Sequence, residues 1–234
     1  MVWKDTIHLF VSLNNMRIVA MTNEGQLSMM KNMLNSALKA GFPMHLFHCY
    51  ILQTQTDAAT YNTEQFQNIT KRKLEIILEN MNLDSEVLWI DNDIVLFENI
   101  IQDVRKYSGS FVMQDDLWGF CTGFFLARST PSAKRLIQDS IRALENATNK
   151  TTNDQHVFNS QYKKQFRIGL QIVPLPQDEY PNGQIYFNEN RRSRAKMVHS
   201  NYLGTTAEKI QRFKDFNLWN DTDVGYTMVN KYFI

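Results

Sequence analysis

Apolar runs of strand length alternate with amphipathic stretches through the first two thirds of the chain. Residues 17–23, 44–52 and 86–91 are short and mostly apolar, which is typical of strands in a buried parallel sheet. Between them, residues 24–41 and 63–81 repeat apolar side chains at helical spacing. This β-α-β-α-β order predicts an α/β fold in which helices cover both faces of a parallel sheet.

Apolar side chains define one face of each predicted helix. The residues expected to face inward are Leu27, Met30, Leu34 and Leu38 in the first helix, and Phe66, Ile69, Ile76 and Ile77 in the second. Asn23 and Gln26 have the spacing of a capping box at the start of the first helix. The pattern therefore predicts the faces that both helices bury and the start of the first.

The rest of the chain adds short strands and further capped helices, with an irregular last third. Strands are predicted at residues 109–114, 121–128, 171–176 and 195–199. Thr130 and Pro131 are typical of a helix start, and Thr205 with Glu208 has capping-box spacing on a last helix. No repeat or low-complexity linker divides the sequence, so we expect a single domain over residues 1–234.

Composition and charge exclude several classes of protein. With 43% hydrophobic residues a sizeable core can form, and a net charge of +1 gives no reason to expect a nucleic-acid partner. No apolar run reaches the length of about 18 residues that a membrane span needs, and the N-terminus lacks a signal-peptide pattern. On these grounds we expect a cytoplasmic protein. Cys49 and Cys121 lie in apolar contexts and are expected to be reduced core residues.

Two carboxylates interrupt the third apolar run, VLWIDNDIVLFEN, at residues 87–99. Asp91 and Asp93 follow a predicted strand, and ligands of α/β sheets bind beyond the carboxyl ends of strands. Strand alternation would direct both side chains to one side, where two hard oxygen ligands suit Mg²⁺ or Mn²⁺. The alternative is a turn with two exposed carboxylates, which the apolar residues on both sides disfavour.

Three other residues become candidates only in combination with this pair. Lys73 lies on the second predicted helix and by itself would be a solvated lysine. Asp154 begins the predicted helix DQHVFN, where a carboxylate favours the helix dipole without any further role. His199 ends a strand, and a lone histidine is more often a core residue than a ligand.

The combined pattern resembles a nucleotide-diphospho-sugar glycosyltransferase of the GT-A fold. The similarity is to the retaining group that includes plant cell-wall arabinosyl- and xylosyltransferases, and it covers roughly residues 17–220. Five pieces carry it in family order: VAMTNEGQLSMMKNMLNSALKAGF, KLEIILENMNLDSEVLWIDNDIVLFEN, CTGFFLARST, NDQHVFNS and VHSNYLGTTAEKIQRFKDFNLW. Two pieces depart from the family: NLDSEV replaces its Gly-aromatic pair before the metal strand, and Thr122 precedes Gly123 where the family often has Asn.

The resemblance implies a central, mostly parallel, Rossmann-like sheet flanked by helices, and it implies roles for individual residues. Residues 17–115 would bind the nucleotide sugar, and residues 116–234 would bind the acceptor and supply the last metal and diphosphate contacts. The implied ligands of Mn²⁺ or Mg²⁺ are Asp91, Asp93 and His199. The implied nucleotide-sugar contacts are Thr22, Asn23, Lys73, Asp91, Asn92, Gly204 and Lys209.

The implied reaction moves a sugar from a nucleotide-diphosphate donor, UDP rather than GDP, to a glycan or glycoprotein acceptor with retention. Asp154 and Gln155 would lie on the sugar and acceptor side. An inverting enzyme would instead use Asp115 or Asp116 as the base, since both follow a strand and precede an aromatic loop that would form an acceptor wall. A sugar-1-phosphate nucleotidyltransferase lacks support because TNEGQLS is no Gly-rich phosphate loop, and a non-catalytic binding domain would not need the metal ligands.

Overall fold

The computed structural model describes residues 15–53, 64–149, 151–164 and 169–234. Within these ranges the strands are β1 (Met16–Asn23), β2 (Phe47–Leu52), β3 (Glu86–Ile90), β4 (Ile94–Leu96), β5 (Phe111–Asp116), β6 (Gly119–Arg128), β7 (Ile172–Leu175), β8 (Met197–His199) and β9 (Asn230–Phe233). The α-helices in the same ranges are α1 (Leu27–Lys39), α2 (Glu64–Met81), α3 (Ile101–Arg105), α4 (Pro131–Glu145), α5 (Asp154–Lys164), α6 (Thr206–Asp215) and α7 (Val224–Thr227).

A mixed, mostly parallel sheet forms the centre of the described chain. Its strand order is β7-β5-β6-β3-β1-β2-β9. The pairs β1–β2, β1–β3, β2–β9 and β5–β7 are parallel, whereas β6 runs antiparallel to both β3 and β5. The reversal arises because β5 and β6 are joined by a tight hairpin at residues 117–118, which only antiparallel neighbours allow. The predicted α/β class and mostly parallel sheet are confirmed.

Helices bury both faces of this sheet, and strand alternation distributes the side chains between two cores. In β1, Ile18 and Ala20 belong to the core that includes α1, while Val19 and Met21 belong to the core that includes α2, α4 and α5. All four side chains are at most 9% exposed. A strand that is buried on both faces has no polar side, which explains why its sequence is almost continuously apolar.

The prediction of which helix residues are buried is correct in the middle of each helix, but not at the start of α2. Met30, Leu34, Ile76 and Ile77 are buried, as predicted. Phe66, in contrast, lies in the first turns of α2 and lines a cavity beyond the sheet. Helical spacing identifies a common face but not its neighbours, so it does not separate a core position from a cavity wall.

Several predicted boundaries change in the structure. Residues 24–26 form a 3₁₀ turn before α1, and residues 44–46 form another before β2. Only half of the expected capping box is present, because the Asn23 side chain accepts a hydrogen bond from the Gln26 backbone while the Gln26 amide reaches Thr206 instead. The predicted second helix started at residue 63, which lies outside the described residues. Thr130 caps α4 with Pro131 in the first turn, as predicted, and the predicted capping box of Thr205 and Glu208 forms both of its bonds at α6.

The last third contains elements that the sequence pattern did not predict. Residues 184–188 form a single π-helical turn, α7 packs on α1, and β9 extends the sheet beside β2. None of the helices in the described ranges has the length and apolar content that crossing a bilayer requires.

Candidate active site

A cavity of about 1000 Å³ opens at the carboxyl ends of β1 and β3. Its walls come from β1, α2, the segment after β3, the β5–β6 hairpin, α5, and the segment from His199 to Lys209. Both halves of the chain therefore contribute to one cleft. This position, outside the carboxyl ends of the strands, is where α/β sheets bind their ligands.

Three potential metal ligands converge in this cavity. One ligand atom from each of Asp91, Asp93 and His199 lies within 4.8 Å of the other two. Strand alternation was the expected reason for the common direction of Asp91 and Asp93. That reason is wrong, because residues 91–93 form a turn between β3 and β4 rather than the end of a strand. The pairing of β4 with β8 places Ile94 opposite His199, and this register brings the histidine beside Asp93.

Gly123 leaves the space that this cluster needs. A Cβ atom at residue 123 would lie 2.3 Å from His199 Cε1 and 2.8 Å from Asp91 Oδ2. Real Cβ atoms do not approach other atoms so closely, so any side chain here would displace two of the three ligands. Two carboxylates and one imidazole form a donor set that a divalent cation such as Mn²⁺ accepts, so the residues fit the expected metal.

Gln114 orients the imidazole of His199. The Gln114 amide nitrogen donates to the carbonyls of Tyr180 and Pro181 at 3.1 and 3.0 Å, so its oxygen must face His199 Nδ1, 2.9 Å away. His199 Nδ1 then carries the proton and donates it to that oxygen. Nε2 is left facing Asp93 Oδ1 at 3.1 Å, so it is the ring nitrogen that would face a bound metal.

Asp93 is buried and held between two cationic groups. Lys209 Nζ lies 2.7 Å from its Oδ2, and His199 Nε2 lies beside its other oxygen. Burial would raise the pKa of Asp93, but Lys209 and His199 outweigh it and hold the pKa well below its usual range. Burial would lower the pKa of His199, but Asp93 and Cys121 raise it well above its ordinary value. Both shifts favour an ion pair between the two side chains, and a divalent cation bound at Nε2 would take the place of the proton on that atom.

Lys73 connects the metal cluster to α5. Its ammonium lies 3.0 Å from Asp91 Oδ1 and 3.0 Å from Asp154 Oδ2, and Lys73 and Asp154 are each about 7% exposed. Burial would lower the pKa of Lys73, but the two carboxylates raise it overall. The indole of Trp89 donates to Asp91 at 2.7 Å, while the hydroxyl of Thr122 donates to Asp154 at 2.7 Å. Lys73 is thus an ion-paired, buried residue of the site rather than a solvated lysine.

The residues expected to contact the nucleotide form a polar rim at the end of β1. The Asn92 amide donates to Thr22 Oγ1 at 3.1 Å and to Gln26 Oε1 at 3.2 Å. Gln26 in turn donates to Thr206 at the start of α6. Thr22 and Asn23 are buried and line the cavity together with Gly204 and Lys209. All the residues named for the nucleotide and the metal therefore border one space.

The two alternative base candidates occupy different positions. Asp116 is 6% exposed, lines the cavity and accepts hydrogen bonds from Gln155, Asn182 and Tyr202. Asp115 is not among the cavity-lining residues and accepts a hydrogen bond from Gln177 at 3.0 Å. The structure brings Asp154, Gln155 and Asp116 together but leaves Asp115 apart from them.

Sequence reasoning missed the residues that hold the cluster in place. Gln114 looked like an ordinary end of a strand, and Gly123 was noted only for the residue before it. The pairing of β5 with β6 changes register between Met113 and Asp115, and such irregularities redirect side chains next to active sites. The signal available in the sequence was a Gln directly after the apolar run of residues 111–113, because a buried amide needs partners.

Comparison with known proteins identifies the family. The family model described as nucleotide-diphospho-sugar transferase matches residues 18–213. A UDP-D-xylose:L-fucose alpha-1,3-D-xylosyltransferase of Arabidopsis thaliana, MGP4, is 26% identical over 202 residues, which cover 74% of this chain and 56% of the relative. A UDP-galactose:fucoside alpha-3-galactosyltransferase of Dictyostelium discoideum is 27% identical over 203 residues, covering 72% and 31% respectively. The chain spans about half the length, or less, of these curated relatives.

Solved structures share the fold at low sequence identity. The apo structure of the bifunctional glycosyltransferase WbbM superposes with a TM-score of 0.62 at 11% identity, covering 92% of this chain and 51% of that one. A glycosyltransferase involved in glycosylation of the major capsid of PBCV-1 gives a TM-score of 0.59 at 11% identity, covering 86% and 98%. These likenesses confirm the GT-A fold that the family resemblance implied. Together with the family match, they show that this chain belongs to the nucleotide-diphospho-sugar transferases.

Proposed function

We propose that this chain is a metal-dependent glycosyltransferase that moves a sugar from a UDP-sugar to a fucose-bearing glycan with retention of anomeric configuration. The observation that carries the proposal is the convergence of Asp91, Asp93 and His199 in a cavity of about 1000 Å³. Ligand pockets usually measure roughly 300–1,000 Å³, so this one has room for a donor and an acceptor. The two relatives described above are a UDP-xylose:L-fucose and a UDP-galactose:fucoside transferase, which supports a UDP donor and a fucoside acceptor.

Each end of the cavity has a distinct chemical role in this proposal. Asp91, Asp93 and His199 would hold Mn²⁺, and a divalent cation bound there supplies Lewis-acid stabilisation of the departing diphosphate. Thr22, Asn23 and Asn92 would contact the nucleoside, and the ammonium of Lys209 would contact the diphosphate. Residues 17–115 would then be the nucleotide-sugar part, and residues 116–234 would be the acceptor part.

Retention is supported by the state of the carboxylates around the cavity. Of the described residues that line it, the carboxylates are Asp91, Asp93, Asp116 and Asp154, and each accepts hydrogen bonds or forms an ion pair. An inverting enzyme needs a carboxylate that can take the acceptor proton. Asp116 could do so only if the acceptor hydroxyl displaced one of the donors that occupy its two oxygens. In the retaining route, the bond between the sugar and the diphosphate breaks with its electrons on the diphosphate oxygen. The acceptor hydroxyl attacks from the same face and passes its proton to that oxygen.

Gln155 has a positioning role in this proposal. Its amide nitrogen donates to Asp116 at 2.8 Å, and its oxygen accepts the Thr122 backbone N–H at 3.4 Å. Both ends of the amide are therefore fixed between α5 and the β5–β6 hairpin. With Asp154 one residue earlier, it lies where the transferred sugar would meet the acceptor.

The test begins with thermal melts in the presence of UDP or GDP with Mn²⁺. A nucleotide at a hundredfold excess over its Kd should stabilise the fold by about 2.7 kcal/mol. We expect a UDP shift that EDTA or Asp93→Asn removes, and slow release of UDP from UDP-xylose or UDP-galactose. No shift with either nucleotide would refute the nucleotide-sugar site, and a shift that survives EDTA would refute the metal. NMR of the anomeric proton in the first product decides between retention and inversion.

A further inference from the structure

Trp118 is exposed at the tip of the β5–β6 hairpin, on the rim of the cavity. Its side chain is 89% exposed and lines the cavity, whereas its neighbour Leu117 is 48% exposed and does not line it. Single exposed apolar residues are common and need no explanation. An exposed indole that borders a polar cleft is different, because a ligand in the cleft can cover its apolar face.

The backbone that carries Trp118 is fixed on α5. The Asn159 side chain accepts the backbone N–H of Phe120 at 2.9 Å and donates to the Phe120 carbonyl at 2.9 Å. Gly119 has a φ of +152°, and a Cβ atom there would lie 2.8 Å from Asn159 Oδ1. The hairpin tip therefore rests directly on α5, and the indole projects from a positioned backbone rather than from a loose loop. A positioned surface costs less entropy to bind a ligand.

A polar row on α5 borders the same rim. His156, Ser160 and Lys163 are four and three residues apart, and all line the cavity. The row begins next to Asp154 and Gln155, and Lys163 lies about 10 Å beyond His156 along the helix axis, at about 1.5 Å per residue. The rim thus offers an apolar ring face and hydrogen-bonding groups side by side, leading outward from the site.

We infer that Trp118 and the outer face of α5 form the acceptor subsite, in which the apolar face of a sugar ring stacks on the indole. This inference rests on the proposed function. The hydroxyls of the same ring or of the next one face His156, Ser160 and Lys163. Fucose fits this chemistry because a 6-deoxy sugar has a methyl group in place of one hydroxymethyl group, which enlarges its apolar surface. The nucleoside contacts proposed above lie on β1 and in the turn after β3, so the indole is left for the acceptor.

The experiment compares Trp118→Ala with Leu117→Ala, a matched change on the same hairpin that leaves the cavity wall intact. Saturation-transfer NMR of p-nitrophenyl α-L-fucoside, with UDP and Mn²⁺ present, measures acceptor binding without requiring turnover. UDP affinity and hydrolysis of UDP-xylose or UDP-galactose are measured in parallel. Trp118 is exposed and Leu117 is half-exposed, so we expect both variants to fold, which thermal melts check.

We expect Trp118→Ala to weaken fucoside binding by about tenfold, which corresponds to about 1.4 kcal/mol. UDP affinity and donor hydrolysis should stay unchanged, Leu117→Ala should bind like the wild type, and Trp118→Phe should recover part of the loss. Equal fucoside signals in Trp118→Ala and the wild type, no signal in the wild type, or a matching loss of UDP affinity would each overturn the subsite. Failure of the proposed function would appear separately, as absence of hydrolysis in the wild type.

Discussion

At the scale of single residues, Gly123 is the position where the smallest change should have the largest effect. Gly123→Ala adds one methyl group that would lie 2.3 Å from His199 Cε1 and 2.8 Å from Asp91 Oδ2. Because the backbone cannot yield without breaking β6, the ligands must move apart. We expect Mn²⁺ affinity, measured by electron paramagnetic resonance, to fall at least about tenfold, a loss of about 1.4 kcal/mol.

The matched control for metal affinity is Gly204→Ala. A Cβ atom at residue 204 has Glu208 Oε2 as its nearest neighbour at 3.8 Å, which is an ordinary contact. Mn²⁺ affinity should therefore stay at the wild-type value in this variant. If Gly123→Ala bound Mn²⁺ as tightly as Gly204→Ala, the cluster of Asp91, Asp93 and His199 would not be the metal site.

At the scale of elements, Lys73 joins α2 to the turn after β3 and to the first turn of α5. Lys73→Met would leave Asp91 and Asp154 without their buried cation. Removing one partner from a buried ion pair typically costs about 3–5 kcal/mol, because the remaining charge is desolvated and uncompensated. We expect the free energy of unfolding in urea, followed by circular dichroism, to fall by about that amount.

Lys71→Met provides the comparison on the same helix. Lys71 pairs with Glu75 and Glu145, and its side chain is 35% exposed. Exposed pairs of this kind contribute only about 0–1 kcal/mol, since water screens them. Similar losses in Lys71→Met and Lys73→Met would show that the Lys73 network does not hold these elements together.

At the scale of the whole molecule, Asp103 ties the short helix α3 to the chain around Tyr180 and Lys196. The Tyr180 hydroxyl donates to Asp103 at 2.6 Å, Lys106 donates at 2.7 Å, and Lys196 forms an ion pair with it. Burial would raise the pKa of Asp103, but the hydrogen bonds from Lys106, Lys196 and Tyr180 hold it below its usual range. Its ionised form is therefore the one that the folded state prefers.

The stability that Asp103 contributes should depend on pH in one direction. Since its folded pKa lies below the unfolded value of about 3.9, the contribution is complete above that pH and is lost as pH falls below it. We expect Asp103→Asn to lower the free energy of unfolding in urea at pH 6, and the difference from wild type to shrink at pH 3. The exposed Asp215→Asn should change stability by less than about 0.5 kcal/mol at either pH. If the difference in free energy of unfolding between Asp103→Asn and the wild type were larger at pH 3 than at pH 6, this explanation would be wrong.

The sequence by itself determined the features that depend on neighbours along the chain. Apolar runs predicted β1, β2 and β3, because a strand that is buried on both faces needs apolar residues at nearly every position. Apolar residues at every third or fourth position predicted α1 and α2, because a helix buries one face. The Thr205–Glu208 box formed as predicted, because its two hydrogen bonds lie within one helical turn. Cys49 and Cys121 are free and buried, as their apolar surroundings indicated.

The resemblance to a family supplied more than the pattern did. It named Asp91, Asp93 and His199 together, and the cavity gathers them, although His199 lies more than a hundred positions from the two aspartates in the sequence. The pattern alone gave the wrong reason for the carboxylate pair, since strand alternation does not apply to a turn. Local periodicity fails there because the chain leaves the strand one residue before Asp91.

Only the tertiary structure decided which groups meet. The direction of β6, the addition of β9 beside β2, and the contacts of Gln114 and Gly123 with His199 all join segments that are distant in sequence. The same holds for Trp118. The sequence identifies it as a hairpin residue, but only the fold shows that the hairpin rests on α5 and that the indole borders the cavity. Such contacts are set by shape and by the satisfaction of buried polar groups across the whole fold, and no short window of residues contains that information.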